Sequence, residues 1–243
     1  MKRALAIIII LLAVAVGVYF YMQSRPEIAE NATLQDVKTQ TPITITSEEI
    51  REENYSGSKP VIVGEGRLAD AARDYVGNLI AEFAAQADAD VPAMREDWGE
   101  DSPAASYTID LGAKMAEGEK TQSVIITEYV YTGGAHGSSS YKVLTASSED
   151  GELLSLSDVV KKDKQAAFTA LVKEKLNDWR PAGSDAPVVF PEDVADLSFT
   201  SFENWVLDNE NLTLYFAQYE VGPGVLGAFA LPIPLKELTD FLL

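Results

Sequence analysis

The sequence predicts an α+β domain, built of antiparallel β-sheet meanders with two main amphipathic helices packed on them, behind an N-terminal transmembrane helix. Three observations carry this expectation. Runs rich in β-branched and aromatic residues recur between glycine and acidic turn signals. Two longer stretches place apolar residues at three- and four-residue steps. An uncharged apolar run opens the chain almost at once.

That run is Ala4 to Met22, ALAIIIILLAVAVGVYFYM, preceded by Lys2 and Arg3. Its length is close to the roughly 20 residues that cross a hydrocarbon core. The basic residues lie before it, so the positive-inside rule leaves residues 1–3 as a cytoplasmic stub and sends everything after residue 22 outside the cytoplasm. Bulky residues follow the run where a signal peptidase wants small ones, so 4–22 reads as a retained signal anchor. Cleavage after Ala13-Val14-Ala15, giving a secreted domain, is the alternative. Residues 23–40 are polar and without periodicity, and read as a tether.

The ectodomain begins near Thr41 and divides at the Glu149-Asp150-Gly151 turn into halves 41–150 and 151–243. PITITSEEI alternates as a half-buried strand, and a shorter run, Pro60 to Val63, follows. Leu68, Ala72, Val76, Leu79, Ile80, Phe83 and Ala87 then predict a helix, followed by an acidic loop over 88–101. Residues 106–115, SVIITEYVY and SYKVLTAS predict a three-stranded antiparallel meander. The second helix is expected over 162–179, with Ala166, Phe168, Leu171, Val172, Leu176 and Trp179 as its apolar face. A hairpin turning at 207–211, a last strand over 228–233 and a short terminal helix from Leu235 complete the order.

Cysteine is absent, which excludes disulfides, thiolate nucleophiles and a lipobox. The formal net charge is −19, a surface that repels nucleic acid and anionic polymers and attracts cationic proteins. The one histidine, His136, stands in YTGGAHG, where Gly133, Gly134, Ala135, His136 and Gly137 form a turn motif. A zinc site would want three or four His, Cys or carboxylate ligands, and one histidine without any cysteine argues against it. Asp88, Asp90, Asp97, Glu100 and Asp101 crowd one stretch without the register of a calcium loop. Ser138, Ser139 and Ser140 are close to His136, yet the segment lacks the nucleophile-elbow pattern. The expectation is that His136 builds the turn, with no catalytic residue, metal or cofactor. Tyr219, Glu220, Pro223 and Gly224 lie on a proline-glycine loop suited to displaying recognition groups, and join His136 as candidate ligand-binding residues.

The order of these motifs is similar to the exported domain family shared by the anti-sigma factor RsiV and the accessory part of the deacetylase PdaC. The residues that carry the resemblance are Gly133-Gly134-Ala135-His136, then Tyr219, Glu220, Pro223 and Gly227, then Ile233, Pro234 and Leu238. It covers most of 41–243. It implies a sheet-and-helix ectodomain and, for the sensing branch, recognition of lysozyme. Only three residues precede the apolar run and nothing follows Leu243, so neither an anti-sigma nor a deacetylase domain is expected. Lysozyme-sensing members carry an aromatic just after the loop proline, whereas Pro223 is followed by Gly224 and Val225.

The resulting functional expectation is a membrane-anchored extracytoplasmic binding module of the cell envelope, not an enzyme. Its expected partners are the membrane through residues 4–22 and either peptidoglycan or a cationic lytic enzyme. The alternatives are a wall-polymer hydrolase using His136 or a carboxylate pair drawn from Glu128, Glu203 and Glu220, and a scaffold subunit of an envelope complex.

Overall fold

The computed structural model describes residues 42–99, 102, 105–181 and 188–243. The expected anchor and tether lie outside these residues, as do Glu100 and Asp101. Among the described residues no helix is long and apolar enough to cross a membrane. Residues Thr39–Leu243 form one compact unit.

Six strands make the larger sheet: β1 (Thr44–Arg51), β2 (Tyr55–Val63), β3 (Tyr107–Glu117), β4 (Thr121–Tyr131), β5 (Ser138–Ser147) and β6 (Leu153–Leu154), side by side in chain order. Neighbours are antiparallel except β2 and β3, which pair in parallel. A parallel pair needs a long crossover, and helix α1 (Arg67–Trp98) supplies it. The sheet is therefore mixed, where the sequence predicted antiparallel meanders.

Helix α1 also overturns the expected acidic loop. Its apolar stripe does not stop at Ala87 but continues through buried Val91 and on to Met94, so the helix runs 32 residues with Pro92 inside it. The acidic residues there serve as anchors. Asp88 accepts from Asn54 Nδ2 at 2.8 Å and Asp90 from the Tyr107 hydroxyl at 2.8 Å. Burial, reinforced by Asp90, pushes the Tyr107 hydroxyl up to about 12. Phe83 completes the contact, its ring 5.5 Å from Tyr55 and 5.7 Å from Tyr107, which are directly paired across β2 and β3. Among the described residues no cluster of three or more acidic or histidine side chains could hold a metal ion.

A second, three-stranded antiparallel sheet follows: β7 (Trp205–Leu207), β8 (Asn211–Phe216) and β9 (Phe229–Pro234). One face, through Leu212, Leu214, Phe216, Phe229, Leu231 and Ile233, packs on helix α2 (Gln165–Asn177) by way of Phe168, Val172 and Leu176. Of the face expected for α2, Ala166 is exposed. Helix α3 (Pro191–Asp196) adds Val194 to the same core. The opposite face meets the large sheet, where Val206 joins Ile125 and Val143, and Tyr215 lies 5.0 Å from Tyr141. The layers thus run α1, large sheet, small sheet, α2. Helices cover both outer sides of the paired sheets.

Polar groups set how the two sheets meet. The buried hydroxyls of Ser123 and Thr145 are 2.9 Å apart, and Thr145 donates to the Trp205 carbonyl at 2.9 Å. Val143 donates its amide to Asn204 Oδ1 at 2.9 Å. Such groups are costly when unpaired, so they favour one registration of the sheets.

Gly57 stands opposite Ile109 in the parallel pair with φ +149°, and a Cβ there would overlap the Ile109 carbonyl. Gly57→Ala is expected to lower unfolding stability by at least about 2 kcal/mol, measured by urea denaturation, because it meets both steric overlap and an unfavourable φ.

Candidate functional site

The YTGGAHG turn joins β4 to β5, and the 217–227 loop joins β8 to β9. The fold brings them together. His136 Nδ1 donates to the Gly137 carbonyl at 2.9 Å, a polarity fixed because a carbonyl can only accept. That tautomer leaves Nε2 as an acceptor for the Tyr219 hydroxyl at 3.1 Å. The two rings lie 6.1 Å apart and nearly parallel. Both ring nitrogens are thus engaged, and no serine of the 138–140 run is bonded to the imidazole.

The turn itself follows from its glycines. Gly133 and Gly134 take φ of +86° and +99°, and the Tyr131 hydroxyl closes the bend onto the Gly134 carbonyl at 3.0 Å. Gly137 and Gly224 serve packing instead: a Cβ on either would strike a tyrosine ring, Tyr129 and Tyr219 respectively.

Tyr219 is the one non-glycine residue at positive φ among those described, at +70°. A left-handed conformation costs a bulky residue about 1–2 kcal/mol, so its neighbours must hold it. Glu220 does so through a short reciprocal turn, accepting the Ala217 amide at 2.7 Å and donating its own amide to the Ala217 carbonyl at 3.2 Å. Gln218, which the sequence reading missed, ties everything else. It exchanges bonds with Ser139, amide to carbonyl and amide to Oε1, both at 2.9 Å, and donates Nε2 to the Gly224 carbonyl at 2.7 Å. Pro223 opens the short 3-10 turn 224–226, whose Val225 is 92% exposed.

Next to this clasp, and joined to it through Ser139 and Tyr129, lies a trough of about 540 Å³, also unforeseen from the sequence. The registers explain it. Ser58, Asp110, Tyr129 and Ser139 form one cross-strand row, and Gly112, Thr127 and Tyr141 the next, all on the face turned away from α1. The small sheet covers the face from Tyr141 and Ile125 onward and leaves these rows open, with Gly227 and Ala228 at the border. Hydroxyls, a tyrosine that is 40% exposed and the Asp110 carboxylate, held by Ser58 Oγ at 2.9 Å, make up the floor.

The three carboxylates considered for hydrolysis have separate surroundings. Glu128 accepts from Tyr75 at 2.5 Å and Ser140 at 2.6 Å, Glu220 supports the loop, and Glu203 lines a different groove beside Phe199 and Phe202. Burial raises the Tyr75 hydroxyl, with Glu128 adding to the shift.

Burial likewise pushes the Glu220 carboxyl above its ordinary value, against the opposing bond from Ala217. A raised acid favours the protonated folded form. Its contribution is fully present below the unfolded pKa and is lost as pH rises through the folded value. Glu220→Gln keeps an acceptor for Ala217 and should flatten this dependence, gaining stability relative to the parent at neutral pH and not at acidic pH, by denaturation at both. A double-mutant cycle of Tyr219→Phe and His136→Ala should return a coupling of about 0.5–1 kcal/mol.

Residues 157–236 match the family described as a protein of unknown function, DUF3298. Among curated proteins the chain is similar to the peptidoglycan-N-acetylmuramic acid deacetylase PdaC of Bacillus subtilis, 25% identical over 126 residues. The match takes in 51% of this chain but only 27% of that relative's length. Two solved DUF3298 structures share the fold. One, from Bacteroides fragilis, has a TM-score of 0.53 at 18% identity over 86% of this chain and 95% of its own. The other, from Pseudomonas aeruginosa, has 0.51 at 15% identity over 83% and 93%. Residues 157–236 thus resemble the DUF3298 family, in a chain that is similar to part of PdaC and folds as the solved DUF3298 structures do.

Proposed function

We propose that this protein is an extracytoplasmic module of the bacterial envelope, held to the membrane by residues 4–22, that binds wall glycan in the trough beside the His136–Tyr219 clasp. The carrying observation is the trough itself: an open strip of hydroxyls and tyrosine on a sheet face that the neighbouring layer leaves bare. Sugar rings present apolar CH faces and a rim of hydroxyls. Tyrosine rings complement the faces, while Ser, Thr and Asp complement the rim. The similarity to a peptidoglycan deacetylase supports a wall polymer over other saccharides. The clasp would act as a rigid end wall, since its two segments are bonded to each other and to β5. Catalysis is not part of this reading, because His136 and Glu220 are committed to shaping the loops.

Purified peptidoglycan sacculi should retain the full-length protein in a detergent without sugar headgroups, and Tyr129→Ala should weaken retention about tenfold while leaving the circular-dichroism spectrum unchanged. Parent protein that fails to sediment with sacculi would sink the proposal. A cationic lytic protein is the second ligand class, favoured by the net charge of −19 and by the exposed tip at Val225. Titration of lysozyme at low and high salt tests it, since attraction by charge alone disappears at high salt.

A further inference from the structure

We infer that the trough prefers glycan carrying free amines, as in de-N-acetylated amino sugar, over the N-acetylated or carboxylate-bearing forms. This rests on the glycan reading above and narrows its ligand chemistry. The observation is the sign of the charge in the trough. Of the two acidic residues at its lining, Glu128 turns its carboxylate to the α1 side, where Tyr75 holds it, so Asp110 alone brings charge to the trough, and no lining residue is Lys or Arg.

Glu128 is already bonded to Tyr75 and Ser140, whereas Asp110 accepts a single bond, from Ser58, and no cation among the described residues pairs with it. Its carboxylate stays exposed in the same cross-strand row as Tyr129. A sugar ring lying on Tyr129 would therefore bring a ring substituent over Asp110. An ammonium there gains a hydrogen bond and the attraction of opposite full charges, a carboxylate meets repulsion, and an acetamide gains the hydrogen bond without the ion pair. Of the cations on this face, Lys114 lies one row beyond Gly112 and outside the trough lining, and Arg51 lies beyond β2 on the edge strand, also outside the lining. Glu49, paired with Ser58 on the other side, already holds Arg51. The protein's strong net negative charge acts in the same direction at longer range.

The test is calorimetric titration of the full-length protein, in a detergent without sugar headgroups, with a tetramer of β-1,4-linked glucosamine and with its fully N-acetylated counterpart. The work is done at mildly acidic pH, where the amines are charged. The inference expects the amine form to bind roughly fivefold tighter or more at low salt, an advantage that shrinks as salt rises. Asp110→Asn retains an acceptor for Ser58, so it should fold, and it should abolish the preference by bringing the affinities of the two tetramers together. Tyr129→Ala should weaken both tetramers alike. Equal affinity for the two tetramers, or a preference that survives Asp110→Asn, would overturn the inference and leave the glycan reading standing. Binding of neither would remove both. A trilysine peptide that competes as well as the amine tetramer would reduce the preference to charge attraction and overturn the inference too.

Discussion

The contact between the two sheets sets the limits for everything else in this molecule. Ser123, Thr145, the Trp205 carbonyl and Asn204 form a polar seam, and Val206, Ile125, Val143, Tyr141 and Tyr215 pack around it. The small sheet has three strands of three to six residues, and the large one includes strands of ten and eleven. A seam fixed at one end of β4 and β5 cannot extend its cover to the other end. The uncovered face must then be polar or it would form an apolar patch, and the residues there are Asp110, Gly112, Thr127 and Ser139.

The clasp is a second consequence of that seam. Once β8 and β9 are placed, the loop between them hangs over the first residues of β5, where Gln218 and Ser139 exchange two hydrogen bonds. This brings Tyr219 beside His136, 83 residues away in the chain, and holds its left-handed backbone. The imidazole thus links the two segments, one nitrogen bonded within its own turn and the other to the opposite loop.

Much of the molecule is legible in its sequence, and the gaps have physical causes. Strand and helix periodicity place nearly every element, because alternation and three-to-four spacing follow directly from which face is buried. Asp88 to Trp98 reads as a loop because acidic residues and Pro92 hide the continuing stripe of Val91 and Met94, and because the partners of Asp88 and Asp90, namely Asn54 and Tyr107, are distant in sequence. The β2 to β3 parallel pairing is likewise invisible, since short runs on either side of a helix carry no sign of direction. At the site, His136, Tyr219, Glu220, Pro223 and Gly224 are visible as glycine and proline loops and do gather around one clasp. Gln218 and Asp110 are not. Each acts through a cross-strand or inter-loop neighbour that only registration supplies, and an exposed Asp in a strongly acidic chain carries no individual signal.

The parallel pairing and the seam also decide which parts of the molecule the trough depends on. The α1 side of the large sheet is a self-contained core, with Phe83 on Tyr55 and Tyr107. The trough borrows its floor from that core but its border, Gly227 and Ala228, from the C-terminal layer. Contacts between segments this far apart in the chain carry a large loop-closure cost. The trough is therefore whole only in the completed molecule, and a local opening of the small sheet would remove its border while the helical core beneath it stayed intact.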